Sequence, residues 1–158
     1  MKTKTIPNSV FFREIRLMLG QGETVLFAVK GESMRPFLEG GRDRVILEKI
    51  VAPVEKGDVV LAEIRPDVYV LHRVIRIEND RLWLMGDGNV KGMEQCRIAD
   101  LVGVATGFQR KGRMSPDRVT SFKWKSYSAC WRFLRPFRRW LLGAYRHVWL
   151  RLFPNKQV

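Results

Sequence analysis

Ser33 stands in the segment Val29-Lys30-Gly31-Glu32-Ser33-Met34-Arg35-Pro36-Phe37-Leu38, directly after an apolar run. A glycine on one side lets the chain turn, and a proline on the other holds Arg35 extended, so the turn can present a hydroxyl at the end of a strand. A serine hydroxyl is a weak nucleophile at neutral pH and needs a neighbouring base. The chain holds two histidines, His72 and His147. Alternation in Val68-Tyr69-Val70-Leu71-His72-Arg73-Val74-Ile75 puts His72 on one face with Val70 and Val74, where desolvation favours the neutral imidazole that a base must be. His147 lies among arginines and aromatics and receives no role. A carboxylate to orient the imidazole is offered by Asp87 in Gly86-Asp87-Gly88-Asn89, with Glu94 as its rival. Taken singly, Ser33 reads as a turn residue, His72 as a strand histidine and Asp87 as an Asx-turn former; together they are the residue types that an activated serine nucleophile requires.

These residues need a β framework. Short runs rich in Val, Ile and Leu at 24–30, 44–49, 58–64, 68–77, 81–85 and 101–109 read as strands. Gly-, Asn-, Asp- and Pro-containing segments between them supply the turns of an antiparallel meander or barrel. Ahead of them, Asn8 and Ser9 are N-cap types before apolar residues spaced by threes and fours, with Gly20 and Gly22 as a stop, which predicts a short amphipathic helix. The organisation expected is a helical segment at 1–22, a peptidase domain at 23–110, a basic connector at 111–129 and a basic amphipathic helix at 130–158.

The formal charge of +13 is unevenly placed, with +1 over residues 1–108 and +12 over residues 109–158. Charge is therefore a property of the tail and not of the site. Cys96 and Cys130 are too few and too far apart for a disulfide framework, a zinc ligand set or a redox motif, so both are expected free, as in a reducing compartment. The first twenty residues lack the uninterrupted apolar core of a secretory signal, and no transmembrane span is evident.

Four blocks in order, Gly31-Glu32-Ser33-Met34-Arg35-Pro36, Lys56-Gly57-Asp58-Val59-Val60, Leu71-His72-Arg73-Val74-Ile75 and Gly86-Asp87-Gly88-Asn89, together resemble the signal peptidase I and LexA-like serine peptidases, over roughly Val25 to Val104. Bacterial signal peptidases and LexA-like repressors use lysine as base; the archaeal and endoplasmic-reticulum signal peptidases are similar to this sequence in placing His before Arg-Val-Ile. The resemblance implies the family's coiled β-sheet barrel, to which the apolar spacing adds a short N-terminal helix and a C-terminal amphipathic helix, giving a mainly β fold. It further implies a catalytic set of Ser33 as nucleophile, His72 as base and Asp87 as its support, with no cofactor and no metal. The substrate implied is a peptide or protein precursor. The sequence departs from the bacterial pattern at Gly31, where many members carry a hydroxyl that assists the oxyanion, and it shows neither the membrane anchor nor the DNA-binding domain that relatives place ahead of the serine motif. Ungapped counting sets Met93, with Glu94 beside it, where His-using relatives carry a second acid.

In the tail, Leu134, Phe137, Leu141, Tyr145, Val148 and Leu152 recur at spacings of 3, 4, 4, 3 and 4, with Arg132, Arg135, Arg139 and Arg146 away from that stripe. The stripe could pack on its own domain. With Trp131, Trp140 and Trp149 and almost no acid, residues 131–153 also suit peripheral contact with an anionic membrane, which would place a cytoplasmic protein on the inner face of that membrane. Nucleic acid is a poorer partner, because no motif reads bases and the aromatics are not spread along strands. The expected function is serine endopeptidase; the alternative is a non-catalytic binding or regulatory module on the same fold, attached to a membrane or another acidic partner through the tail.

Overall fold

In a computed structural model that describes residues 8–153, each of the six apolar runs is a strand. Helix α1 (Asn8–Gly20), which already includes both expected cap residues, precedes β1 (Val25–Ala28), β2 (Arg44–Glu48), β3 (Val59–Arg65), β4 (Val68–Glu78) and β5 (Arg81–Met85). Then come β6 (Glu94–Arg97), a 3-10 turn, β7 (Leu101–Gln109) and the two-residue β8 (Asp117–Arg118). All pairings are antiparallel in the order β1-β2-β7-β3-β4-β5-β6, with β8 on β7. The mainly β fold with an N-terminal and a C-terminal helix is as expected.

Strand β3 shows why the apolar runs are continuous and not alternating. Val59 and Leu61 enter one core while Val60 and Ala62 enter another, so both faces are covered. The first core joins α1, through Ile15 and Leu19, to Met34, Phe37 and Leu38 of the serine segment and to Trp124. The second, Val60, Ala62, Val74, Leu82, Leu84 and Cys96, lies within the curl of β3 to β6, where β6 approaches β3.

The tail differs from its expected layout. The 111–129 segment, expected as connector, holds β8 and most of helix α2 (Phe122–Phe133). The Ser121 hydroxyl accepts from the Trp124 backbone N–H at 3.2 Å and caps α2, and Trp124 buries its ring on Phe37 and Phe108 at centroid distances of 4.4 and 4.5 Å. Capping and aromatic burial start the helix well before residue 130. It stops where Leu134 turns ahead of Pro136, whose ring disfavours helical geometry in the residue before it. Helix α3 (Arg138–Ala144) follows and runs through a π turn to Leu152.

The packed face of the tail is also not the expected stripe. Trp131, Arg138 and Leu142 are buried, whereas Phe137, Val148 and Leu152 are more than half exposed. Breaking the helix at Leu134–Phe137 rotates the second half relative to the first, so one continuous helical phase cannot describe both. Among the described residues no helix is long and apolar enough to cross a membrane.

Candidate active site

The serine turn is fixed from both ends. Val29 N–H donates to Asp43 O at 3.0 Å and Val29 O accepts from Gly41 N–H at 2.9 Å, while Met34, Phe37 and Leu38 are buried beneath. Between them the chain reverses at Gly31, with φ +82°, a conformation that side chains rarely allow. Arg35 closes the turn by reaching Glu32 at 2.7 Å and Glu39, donating its Nε–H to the latter at 2.7 Å. Glu39, 2 % exposed, also accepts from the Tyr145 hydroxyl at 3.2 Å, which ties the tail to this turn. The Arg35–Pro36 peptide is cis.

The Gly86–Asn89 loop packs directly against the turn. Gly88 N–H donates to Ser33 O at 2.7 Å. A Cβ on Gly86 would lie 2.2 Å from Ser33 O and one on Gly88 2.5 Å from Glu32 O, so both glycines are required by the approach of two backbones. Ser33 N–H has no backbone partner among the described residues, which leaves it available to an oxyanion.

His72 lies on β4 opposite Val60 of β3, 4 % exposed, and both Ser33 and His72 line a cavity of about 560 Å³. Burial pushes the imidazole pKa below its ordinary value against the opposing pull of Glu94 and, more weakly, Asp87, so His72 is neutral at neutral pH. Glu94 Oε2 stands 2.9 Å from His72 Nδ1. A carboxylate there accepts from Nδ1–H and leaves the lone pair on Nε2, the tautomer a general base requires. Register explains the contact: Glu94, Leu84 and Val74 form one row across β6, β5 and β4, and His72 precedes Val74 by two residues on the same face.

Asp87, the expected support of His72, sits elsewhere. His72 and Arg73 are consecutive and point to opposite faces of β4. The Asp87 carboxylate, 1 % exposed, takes a two-pronged pair from Arg73 Nε–H and Nη2–H at 2.8 and 2.7 Å. Arg73 in turn donates to Gly57 O and Ser128 Oγ, and its guanidinium lies 5.0 Å from the Trp124 ring centre. The Asp87 carbonyl accepts from Trp131 Nε1–H at 3.2 Å. Asp87 thus anchors the loop under Ser33, and of the two carboxylates left open by the sequence it is Glu94 that touches the imidazole.

Sequence reasoning missed Arg73, Ser128, Trp131 and Arg138 as supports of the loop. Arg73 was visible only as a neighbour of His72, and the tail residues were read as a separate helix. His147, in the π turn of the tail, is exposed and does not line the cavity at Ser33.

A family model described as Peptidase S24-like matches residues 3–105, the span that holds Ser33, His72, Asp87 and Glu94. No curated protein matches the chain significantly.

Proposed function

The chain belongs to the Peptidase S24-like family, and on that premise we propose that it is a serine endopeptidase of the His-using kind, cleaving a peptide or protein precursor with Ser33 as nucleophile and His72 as general base. Ser33 Oγ attacks the scissile carbonyl carbon as His72 Nε2 takes its proton. Ser33 N–H is placed to stabilise the oxyanion that forms. His72 then gives the proton to the departing amine, and water releases the acyl group by the same steps in reverse. Glu94 holds the ring and balances the imidazolium; Asp87 and Arg73 keep the turn in place. Phe11, Phe12, Phe27 and Tyr69 on the cavity wall would receive an apolar substrate side chain.

The observation that carries this reading is that Ser33 and His72 face one cavity while Glu94 fixes His72 Nδ1. The test is labelling of wild type, Ser33→Ala and His72→Ala with a covalent acyl- or lactam-type serine probe, read by intact mass. An adduct that requires both residues is expected. Folded wild type that never forms one would shift the assignment to a binding or regulatory module.

We further propose peripheral attachment to an anionic membrane through the tail, on the inner face of a cytoplasmic membrane. Trp140 and Trp149 are 75 and 53 % exposed, with Phe137, Leu152 and Phe153 also outward and Arg139, Arg146 and Arg151 among them. Trp131, buried over the Asp87 loop, is withdrawn from that surface. Flotation with anionic but not neutral vesicles is expected; failure with both would remove this attachment.

A further inference from the structure

A second cavity, of about 580 Å³, shares no lining residue with the one at Ser33. Five cationic side chains line it, Lys56, Arg76, Arg132, Arg135 and Arg138, and no carboxylate does. Arg76 is paired with Glu78 outside the lining set. Among the described residues, Arg132 and Arg135 find neutral partners: the carbonyls of Ser128 and Lys56 for the first, Met93 Sδ for the second. The remaining wall is apolar, formed by Ile75, Ile77, Trp83 and Met93.

Arg138 is the informative member. It is 1 % exposed, yet among the described residues Nε and Nη2 have no hydrogen-bond partner, and Nη1 makes long contacts, 3.4 Å each, to the carbonyls of Gly86 and Asn89. Asp87 is the acid whose charge acts on it, but that carboxylate is already taken at both oxygens by Arg73. Two buried guanidinium groups therefore share one carboxylate, and the surplus positive charge is unbalanced beside a cavity lined by further cations. A buried cation is costly unless something of opposite charge meets it.

We propose that this cavity binds a phosphate group carried on an apolar body. Arginine forks match phosphate oxygens with two-pronged geometry, and several converging cations suit a group that carries more than one negative charge. The Ile75–Trp83 side would hold the apolar part. Such a phosphate reaches the cavity either as a soluble ester or as a lipid headgroup. Arg138 also holds the Gly86 and Asn89 carbonyls, so an occupant would sit directly behind the loop on which Ser33 rests.

Calorimetric titration of the full chain at low ionic strength tests this without any need for catalysis. Inorganic phosphate and dihexanoyl phosphatidic acid below its micelle concentration are the probes. The variants are Arg135→Gln and Lys56→Gln in the cavity lining and Lys49→Gln on an exposed stretch outside both cavity and tail, each checked for native circular dichroism. Saturable one-to-one binding is expected for the lipid, tighter than for inorganic phosphate, weakened about tenfold by either cavity variant and unchanged by Lys49→Gln. Equal affinity for both probes would overturn the role of the apolar wall. Absence of saturable binding to both probes, binding that survives both cavity variants, or equal weakening by Lys49→Gln would overturn the proposal.

Discussion

Replacing Glu94 by alanine removes the oxygen that stands 2.9 Å from His72 Nδ1 and leaves the serine turn, Asp87 and Arg73 untouched. A charge-assisted hydrogen bond contributes about 1.5–3 kcal/mol. The Glu94 side chain is 29 % exposed, so water screens part of the interaction and the lower end applies. About 1.5 kcal/mol corresponds to roughly a tenfold slower acylation by the serine probe, and free rotation of the ring between tautomers raises this toward about 100-fold. Stability should hardly change, because the residue lies at the start of an edge strand. The same variant has a signature that needs no substrate. Glu94 pulls the imidazole pKa upward against burial, so its loss should move the His72 pKa further below the ordinary value, as read from its ring resonances in an NMR titration. A rate within about twofold of wild type, or a His72 pKa that stays put or rises, would refute Glu94 as the orienting carboxylate.

Asp87→Asn should act on stability and not on the imidazole: Arg73 would lose its buried counter-charge, at a cost of about 3–5 kcal/mol in chemical denaturation. The pH profile of acylation should keep its plateau as pH falls through 6.5, the ordinary histidine value, and fall only near the depressed His72 pKa. Stability should decline over that same interval, because the unfolded chain takes up a proton at His72 before the folded one does; a midpoint above 6.5 would exclude His72 as a buried neutral base. Gly88→Ala places a methyl 2.5 Å from Glu32 O and should lower stability by about 1–3 kcal/mol while slowing acylation, since the Gly88 to Ser33 bond must open. Trp124→Ala should cost about 3–5 kcal/mol in denaturant unfolding, whereas a tail packed independently of the β core would leave the core unchanged.

The six apolar strands were legible because their runs of β-branched and leucine residues are bounded by turn formers, and two-sided burial, as in β3, explains why they do not simply alternate. Strand β6, Glu-Gln-Cys-Arg, was not legible: it is mostly polar and at the sheet edge, and its place comes from pairing with β5. That gap also left Glu94 without an address, since only its register with Leu84 shows that it reaches His72. Ser33 and His72 were singled out by the combination of their segments and not by either alone, and both line one cavity. Tail helicity was legible from its spacing, but a single phase was carried across Pro136, so the buried face was assigned to Leu134, Phe137 and Val148 and not to Trp131, Arg138 and Leu142. Ser121 was a cap signal of the ordinary kind, hidden by the Gly- and Pro-containing stretch before it.

The two acids near His72 divide their work by the parity of one strand. His72 and Arg73 leave β4 on opposite faces, so the carboxylate that satisfies a buried guanidinium cannot also sit on the imidazole ring. Asp87, 1 % exposed and bonded by Tyr127 and Trp131, is committed to its structural pair with Arg73. Glu94, partly open on the last strand of the sheet, can respond to charge developing on His72 without disturbing the core. The basic tail belongs to this division: it supplies the aromatic lid and the Ser128 and Arg138 contacts that close the Arg73–Asp87 side, while its remaining arginines and tryptophans face outward. The tail thus both closes the support of the serine turn, through Ser128, Trp131 and Arg138, and carries an exposed cationic, aromatic surface on its other side.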